Sequence, residues 1–499
     1  METSLFKSNH HDSEFDHFGP TGMLTMNFNS RRGFIHRIIA GGVGLGLLPS
    51  TLLARSAEGK AEVNHLPVYK EVDICVLGGS CTGVFAAIRA ARLGAQVAIV
   101  EKQNAFGGVA TNALVNVWHS PYDTEFQKQI IAGLTLETME RLSQRNAVVV
   151  RDRSPSSYFS FNSQELKMEL DELVVENGVH PFLHTLFSEP WLDQDGELAG
   201  VIVDNKSGRG IIKAKYFIDA TGDGDLCVRL GLESYTRELL QPPTMCAHLE
   251  EWDLSEFEGI LKEHGAEFNI PGGFAWGVTL PSAKTFMLAG TRVYGADCSQ
   301  ADELTKAEME GRRQVRAIMD MMRKYSPQKK SALVALPSCI GVRETRHIKC
   351  LYQVSDDDAM NGKRFDDAIA NGSYVLDLHH QDKPGITFKY LDGTEEYIKP
   401  GYPAEKGRWR PETPTNPTFY QVPLRSIIPP KHKNLMVAGR MLDAGSIAFS
   451  GIRVMVNMNQ LGEAAGVTSY LALHQNQPIA RVDCQEVRET LKKGGSLIL

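Results

Sequence analysis

The sequence predicts an α/β protein: a parallel sheet with helices packed on it, a β-meander beside it, and an α+β block inserted before the sheet is completed. Three observations predict this class. Residues 72–101 read as strand, glycine turn, helix, strand and terminal acid. Residues 163–225 read as a helix, three short strands and a further strand ending in Ala220-Thr221-Gly222-Asp223-Gly224-Asp225. Between Leu226 and about Pro417 this grammar stops, and it resumes only from Tyr420 onward.

Taken in order, the chain of 499 residues opens on an address. Polar residues 1–29 precede Ser30-Arg31-Arg32-Gly33-Phe34-Ile35 and a glycine-rich, moderately apolar run from Ile38 to Leu48. Paired arginines flanked by a hydroxyl and an apolar residue match a twin-arginine export signal. The run is too short and too rich in glycine to span a membrane. Small residues at Ala54-Arg55-Ser56 offer a cleavage point, so residues 1–56 are expected to be a signal peptide and the product to be periplasmic or extracytoplasmic. An uncleaved anchor and a chance basic N-terminus are the competing readings, and Met23 and Met26 are alternative starts.

The remainder is long enough for a large core and more than one domain. A net charge of −7 with no dense basic cluster argues against nucleic acid as a partner. The eight cysteines form no C-x-x-C pair, so iron–sulfur and zinc sites are not expected, and mostly free, buried thiols are. Cys81, near a helix start, has a route to a lowered pKa, with small-residue packing as its plainer role.

Val72, Ile74, Val76 and Leu77 form the first strand, and Gly83 to Leu93 a helix dense in alanine that Gly94 closes. Gln96 to Val100 is the second strand. In such a Rossmann-like βαβ unit, Gly78 allows the sharp turn and the backbone of Gly79, Ser80, Thr82 and Gly83 faces a pyrophosphate at the helix start. Glu101 accepts hydrogen bonds from ribose hydroxyls, and Lys102 beside it is assigned to the same site. Ser80 stands where the fingerprint has glycine. Serine is small, and its hydroxyl can itself meet phosphate. An ordinary βαβ unit with a glycine turn is the alternative.

Phe106-Gly107-Gly108-Val109-Ala110-Thr111-Asn112 follows the acid directly. Here the chain resembles an FAD-dependent oxidoreductase of the glutathione-reductase-like superfamily, in the branch called FAD dependent oxidoreductase. That branch carries G-G-x-A-T at this place, and Gly107, Gly108, Ala110 and Thr111 match it. The resemblance implies FAD as cofactor, with this loop passing along the pyrophosphate and flavin. It also sets Val115 to His119 near the flavin, with His119 as acid/base or substrate-orienting group, or as an ordinary hydrogen-bonded histidine.

Residues 124–145 read as a helix. Leu166, Leu170, Leu173 and Val174 recur at helical spacing, and Asn177-Gly178 ends that helix. Strands at 182–186, 198–203 and 210–214 form the expected meander. In relatives the turn matched by Ala220, Thr221, Gly222 and Asp223 packs against the adenine end of FAD. A calcium loop is not expected, because the D-x-D-G-x5-E pattern is missing.

The cofactor domain is thus expected at 70–235, a covering substrate domain at 236–417, the closing segment at 418–475 and a tail at 476–499. Within the insert lies a long helix, 302–325, whose methionines read as packing. Gly341-Val342-Arg343-Glu344-Thr345-Arg346 matches the branch's G-[IV]-R-E-T-R. Arg343 and Arg346 offer planar cations to a carboxylate, an oxygen-rich substrate or the flavin. An internal ion-pair network with Glu344 is an equal alternative. The adjacent His379-His380 point apart on a strand and read as a solvated or single-function pair rather than metal ligands.

In the closing segment, Ala438-Gly439-Arg440 resembles the turn that reaches the ribityl chain, where many relatives have G-D and this branch has G-R. Ser450 to Met455 opens a helix whose N-terminus would face the flavin pyrimidine edge, with Arg453 adding positive charge there. Where relatives carry T/S-H-E this chain reads Asp443 to Ala448, so no histidine role is carried over.

The implied reaction is hydride transfer from a small alcohol, sugar derivative or amine to flavin N5, with an external electron acceptor. Neither a second G-x-G-x-x-G nor a redox cysteine pair is present. A flavin-dependent lyase or isomerase without net redox, and a non-catalytic electron-transfer protein, remain alternatives. Export machinery is an expected partner, and monomer and oligomer are both open.

Overall fold

The computed structural model describes residues 66–272, 275–399 and 402–499; the twin-arginine segment lies outside them. Five parallel strands make the central sheet: β1 (Ile74–Leu77), β2 (Val97–Val100), β3 (His180–Phe182), β4 (Tyr216–Asp219) and β5 (Leu435–Val437). Their order is β5-β4-β1-β2-β3, so the strand that completes one edge comes from the far end of the chain. Every residue of β1, β2, β4 and β5 is buried, which is why these strands read as unbroken apolar runs rather than alternating ones.

Helix α1 (Cys81–Arg92) carries the chain from β1 to β2, and α2 (Ser163–Glu176) leads to β3. The C-terminal helix α4 (Met455–Gln475) lies against α1 at very short range. A Cβ on Gly462 would stand 2.1 Å from the Thr82 carbonyl oxygen, and one on Gly466 2.2 Å from that of Ala86. Only glycine at both places lets the two backbones touch. Glu463, between them, is buried and takes Arg89 of α1 as its ion partner, together with the Leu134 amide and the Ser496 hydroxyl.

A four-stranded sheet flanks this layer. Leu186–Leu192, Leu198–Asn205 and Gly208–Lys213 form the antiparallel meander, and Val68–Glu71 adds to it in parallel. The strand expected at 182–186 therefore divides: His180–Phe182 joins the parallel sheet, and the meander begins at Leu186. The helix expected at 124–145 is only Leu134–Gln144. Asp123 explains the difference, since its carboxylate accepts the amides of Gln127 and Lys128 and holds a turn there.

Residues 245–340 form a separate core around the long helix α3 (Ala301–Tyr325), with an antiparallel sheet ordered Trp276–Thr279, Phe286–Ala289, Ala247–Glu250, Ala332–Ala335. Met319, Met321 and Met322 are buried in this core, while Met309 is exposed. From Ile348 onward side chains return to the first core, including Val354, Ile369, Leu376 and Tyr420. The fold is thus α/β with an α+β insertion. No described helix is long and apolar enough to cross a membrane.

Candidate active site

β1, β4 and β5 end side by side, and the turns that follow them line one cavity of about 680 Å³. This is the edge where open parallel sheets bind ligands. Gly78, Ser80 and Thr82 line the cavity from the first turn; Glu101 and Lys102 from the end of β2; Gly107 and Gly108 from the next loop. Ala220, Thr221, Gly222 and Asp223 follow β4, and Gly439 and Arg440 follow β5. Segments far apart in sequence thus meet on one surface.

The remaining nucleotide-site residues act behind this wall. The Gly79 amide donates to Glu101 Oε2 at 2.6 Å, and the Gln103 amide to Oε1 at 2.7 Å. A Cβ on Gly83 would meet the Gly78 carbonyl oxygen at 1.9 Å. The Ala110 carbonyl accepts the Ser163 hydroxyl at 2.7 Å, and Thr111 Oγ1 donates to the Phe106 carbonyl at 2.5 Å.

Ser80 has a local reason. Its side chain caps α1, accepting the Gly83 amide at 3.4 Å. Gly78, at φ +104°, is required twice: its conformation is left-handed, and a Cβ would lie 2.2 Å from the Ala220 carbonyl oxygen. The first turn and the A-T-G turn are in backbone contact. Cys81 is buried, burial pushes its thiol up to about 12, and it donates to the Gly107 carbonyl. Burial outweighs the lowering by a backbone hydrogen bond, so the expected route to a lowered pKa is not realised.

Asp223 and Arg440 form an ion pair of 2.6 Å. Burial works to raise the Asp223 pKa, but Arg440 and the Thr345 hydroxyl more than offset it and hold the carboxyl below its ordinary range. Glu344 does not pair with Arg343 or Arg346. It binds Arg237, His347 and the Gln241 amide, while Arg346 pairs with Asp225 at 3.1 Å. The expected ion-pair network of Arg343 and Arg346 with Glu344 is therefore not formed: Glu344 has Arg237 as its cation, and Arg343 has no acidic hydrogen-bond partner.

Arg343 instead lines the cavity, donating Nη1–H to the Pro242 carbonyl at 2.5 Å and Thr244 Oγ1 at 2.6 Å. His119 and Arg453 line the same cavity. The His119 ring stacks on Tyr374 at 3.9 Å, and burial pushes its pKa down to about 3, against a hydrogen bond with the Ser156 backbone. Arg453 gives Nη2–H to Asp377 Oδ1 at 2.5 Å, so much of its charge is spent on that carboxylate. Tyr374 OH donates to the other oxygen of Asp377 at 3.0 Å, and His379 lies 3.4 Å from it.

Tyr374 and Asp377 were not singled out as site residues, and His379, expected as half of a solvated or single-function pair, is buried against the cavity. Asp377 and His379 are two apart on the strand Leu376–His379, hence on one face, and both are buried. His380 points away and meets Thr387, so the two histidines do diverge. The helix expected from Ser450 is in fact two, Ser446–Ile452 and α4, because Val454 is extended. The start of α4 has neither a side-chain cap nor an acid in its first turn, and Val454, Met455, Met458 and Asn459 face the cavity.

The cavity suits a long polar cofactor: glycine backbone along one wall, an uncapped helix start, and buried Arg440 Nε and Asn459 Oδ1 with no partner among the described residues. Parallel strands ending on such a cavity, under an inserted domain, define a dinucleotide-dependent α/β enzyme. The FAD dependent oxidoreductase family model matches residues 73–491, and the chain belongs to that family. FAD is its cofactor and oxidoreduction its class of reaction.

Among curated proteins, the dihydrolipoyl dehydrogenase of Trypanosoma brucei brucei is 33% identical over 95 residues, 17% of this chain and 20% of that one. The thiamine thiazole synthase of Pyrococcus horikoshii is 25% identical over 162 residues, 31% of this chain and 58% of that one. The chain therefore spans less than two thirds of either relative. Among solved structures, a geranylgeranyl bacteriochlorophyll reductase-like protein of Thermoplasma acidophilum covers 85% of this chain and 83% of its own, at 12% identity and TM-score 0.41.

Proposed function

We propose that this flavoenzyme oxidises a small organic substrate, an alcohol, sugar derivative or amine, and passes the electrons to an external acceptor. One observation carries the reading: a single cavity joins the glycine-lined cofactor wall to a wall of Arg343, His119, Tyr374, Asp377, His379 and Arg453. When bound, FAD supplies a hydride acceptor at its N5. The protein supplies the rest. Asp377, fixed by Arg453 and Tyr374, holds that wall in one arrangement. Burial pushes His119 and His379 below their ordinary pKa, so both are neutral imidazoles at pH 7, suited to a substrate hydroxyl or amine. A pKa near 3 makes His119 an orienting group more than a proton acceptor.

The proposal extends to the glutathione-reductase-like superfamily, to the division at 70–235, 236–417 and 418–475 with the tail at 476–499, and to twin-arginine export with cleavage of residues 1–56. Anaerobic mixing of the yellow protein with a metabolite panel tests the chemistry: one substrate class should bleach the flavin and yield an oxidised product. A panel of alcohols, sugars and amines that leaves the flavin oxidised would remove the reading. For export, an Arg31→Lys/Arg32→Lys protein should stay in the cytoplasm.

A further inference from the structure

The substrate wall is electrostatically incomplete. Arg343 and Arg453 line it, and Arg292, 2% exposed, lies close enough for its charge to act on Arg343. Against these three guanidinium groups, two on the wall and Arg292 outside the lining, stands one carboxylate, Asp377, which Arg453 already engages at 2.5 Å. Arg343 spends Nη1 on two neutral oxygens. Arg292 Nε and Nη2 are buried without a hydrogen-bond partner among the described residues, and so is Arg453 Nε. His119 and His379 are neutral and add no counter-charge.

Buried cations without counter-ions are costly, and proteins rarely keep them without a use. The pyrophosphate of FAD does not account for them. The glycine-lined wall expected to hold it has basic groups of its own, Lys102 and Arg440, which act together on Asp223. Nor does core packing, since Arg343 opens on the cavity. Ile386 and Phe388 are the cross-strand partners of His379 and Asp377 and line the cavity too, which sets apolar surface beside the cations.

We infer that the substrate is an organic oxyanion, its carboxylate or phosphate group held by Arg343, with the buried Arg292 adding positive charge from outside the cavity lining and the carbon skeleton lying toward Ile386 and Phe388. A guanidinium fork matches the paired oxygens of either group. The inference rests on the proposed oxidation of a small molecule and narrows its substrate class.

The test is binding to the FAD-loaded protein without turnover, followed by calorimetry and flavin absorbance at constant ionic strength. Acetate, succinate and methyl phosphate are the probes; acetamide and chloride are the controls. At least one oxyanion should bind tenfold or more tightly than acetamide and chloride, and whether the carboxylates or methyl phosphate do so identifies the group. Arg343→Gln and Arg292→Gln should each weaken that binding tenfold or more while keeping FAD content, and Arg343→Lys should restore part of it. Should Arg343→Gln fold poorly, Arg292→Gln carries the same comparison. Equal binding of acetamide or chloride, no binding of any oxyanion, or unchanged binding in both variants would overturn the inference. Flavin bleaching by neutral substrates alone would overturn it while sparing the proposed oxidation of a small molecule; oxyanion binding without bleaching by any substrate would do the reverse.

Discussion

Arg440 reaches 217 positions back along the chain to place Nη2 2.6 Å from Asp223 Oδ1. The pair ties the turn after β5 to the turn after β4 beside the cofactor cavity, and Thr345 from the insertion completes it at 2.7 Å. The same carboxylate oxygen is thus held from the turn after β5 and from the G-V-R-E-T-R segment.

Replacing Arg440 by Met should therefore loosen FAD more than it unfolds the protein. A charge-assisted hydrogen bond of this kind contributes about 1.5–3 kcal/mol, so retention of FAD through gel filtration should fall roughly tenfold or more. Asp223 has its pKa held down, so its contribution to stability is present above about pH 4 and lost as pH falls through the lowered value. In Arg440→Met burial is no longer offset by the arginine, so that contribution should shrink and the fall in melting temperature on acidification below about pH 4 should be shallower than in wild type. Unchanged FAD content would show that the pair is only structural.

Arg343 and Glu344 are neighbours in sequence with opposite duties. Glu344, 2% exposed, is the buried partner of Arg237 and His347. Glu344→Gln should cost about 3–5 kcal/mol, because it leaves Arg237 uncompensated. Arg343→Gln removes a charge with no acidic hydrogen-bond partner, so its melting temperature should hold or rise while substrate-driven flavin reduction falls. Comparable melting temperatures for the two variants would contradict this division.

The central sheet was legible because its information is local: apolar runs, a glycine turn, an alanine-rich helix. The convergence of the glycine-rich turns was legible because glycine is demanded wherever backbone meets backbone, as at Gly78 against Ala220. The substrate wall was not. Tyr374, Asp377 and His379 acquire meaning only when Arg453, more than 70 positions on, arrives at hydrogen-bond distance. Nor does the motif reveal that Glu344 turns to Arg237 and leaves Arg343 to the cavity, since both choices satisfy the same six residues.

Gly462 and Gly466 supply a stability test far from the chemistry. An added Cβ would stand 2.1 Å and 2.2 Å from the backbone oxygens of Thr82 and Ala86, which have no freedom to retreat inside α1. Alanine at either place should destabilise by about 1–3 kcal/mol through overpacking, and FAD retention should drop with it as α1 shifts. Gly259→Ala is the control, since that glycine lies within Leu254–His264 with nothing within 4 Å. It should gain up to about 1 kcal/mol from helix propensity. Chemical unfolding of the three variants decides.

His119 offers a pH test whose sign is fixed by its environment. Burial holds its imidazole near a pKa of about 3, whereas the unfolded chain has the ordinary value of 6.5. The folded state refuses a proton that the unfolded state accepts, so this group's share of stability is full above about pH 6.5 and declines as pH falls toward 3. The slope is at most about 1.4 kcal/mol per pH unit. His119→Gln should flatten the acid side of the stability curve, and His248 and His379, buried in the same sense, cancel in the difference from wild type. In turnover the same neutrality has a second consequence. The profile of kcat/KM between pH 5 and 8 should keep its inflections in His119→Gln while KM rises, because the ring orients substrate and does not titrate there. An inflection that vanishes with the histidine would make it the proton acceptor instead.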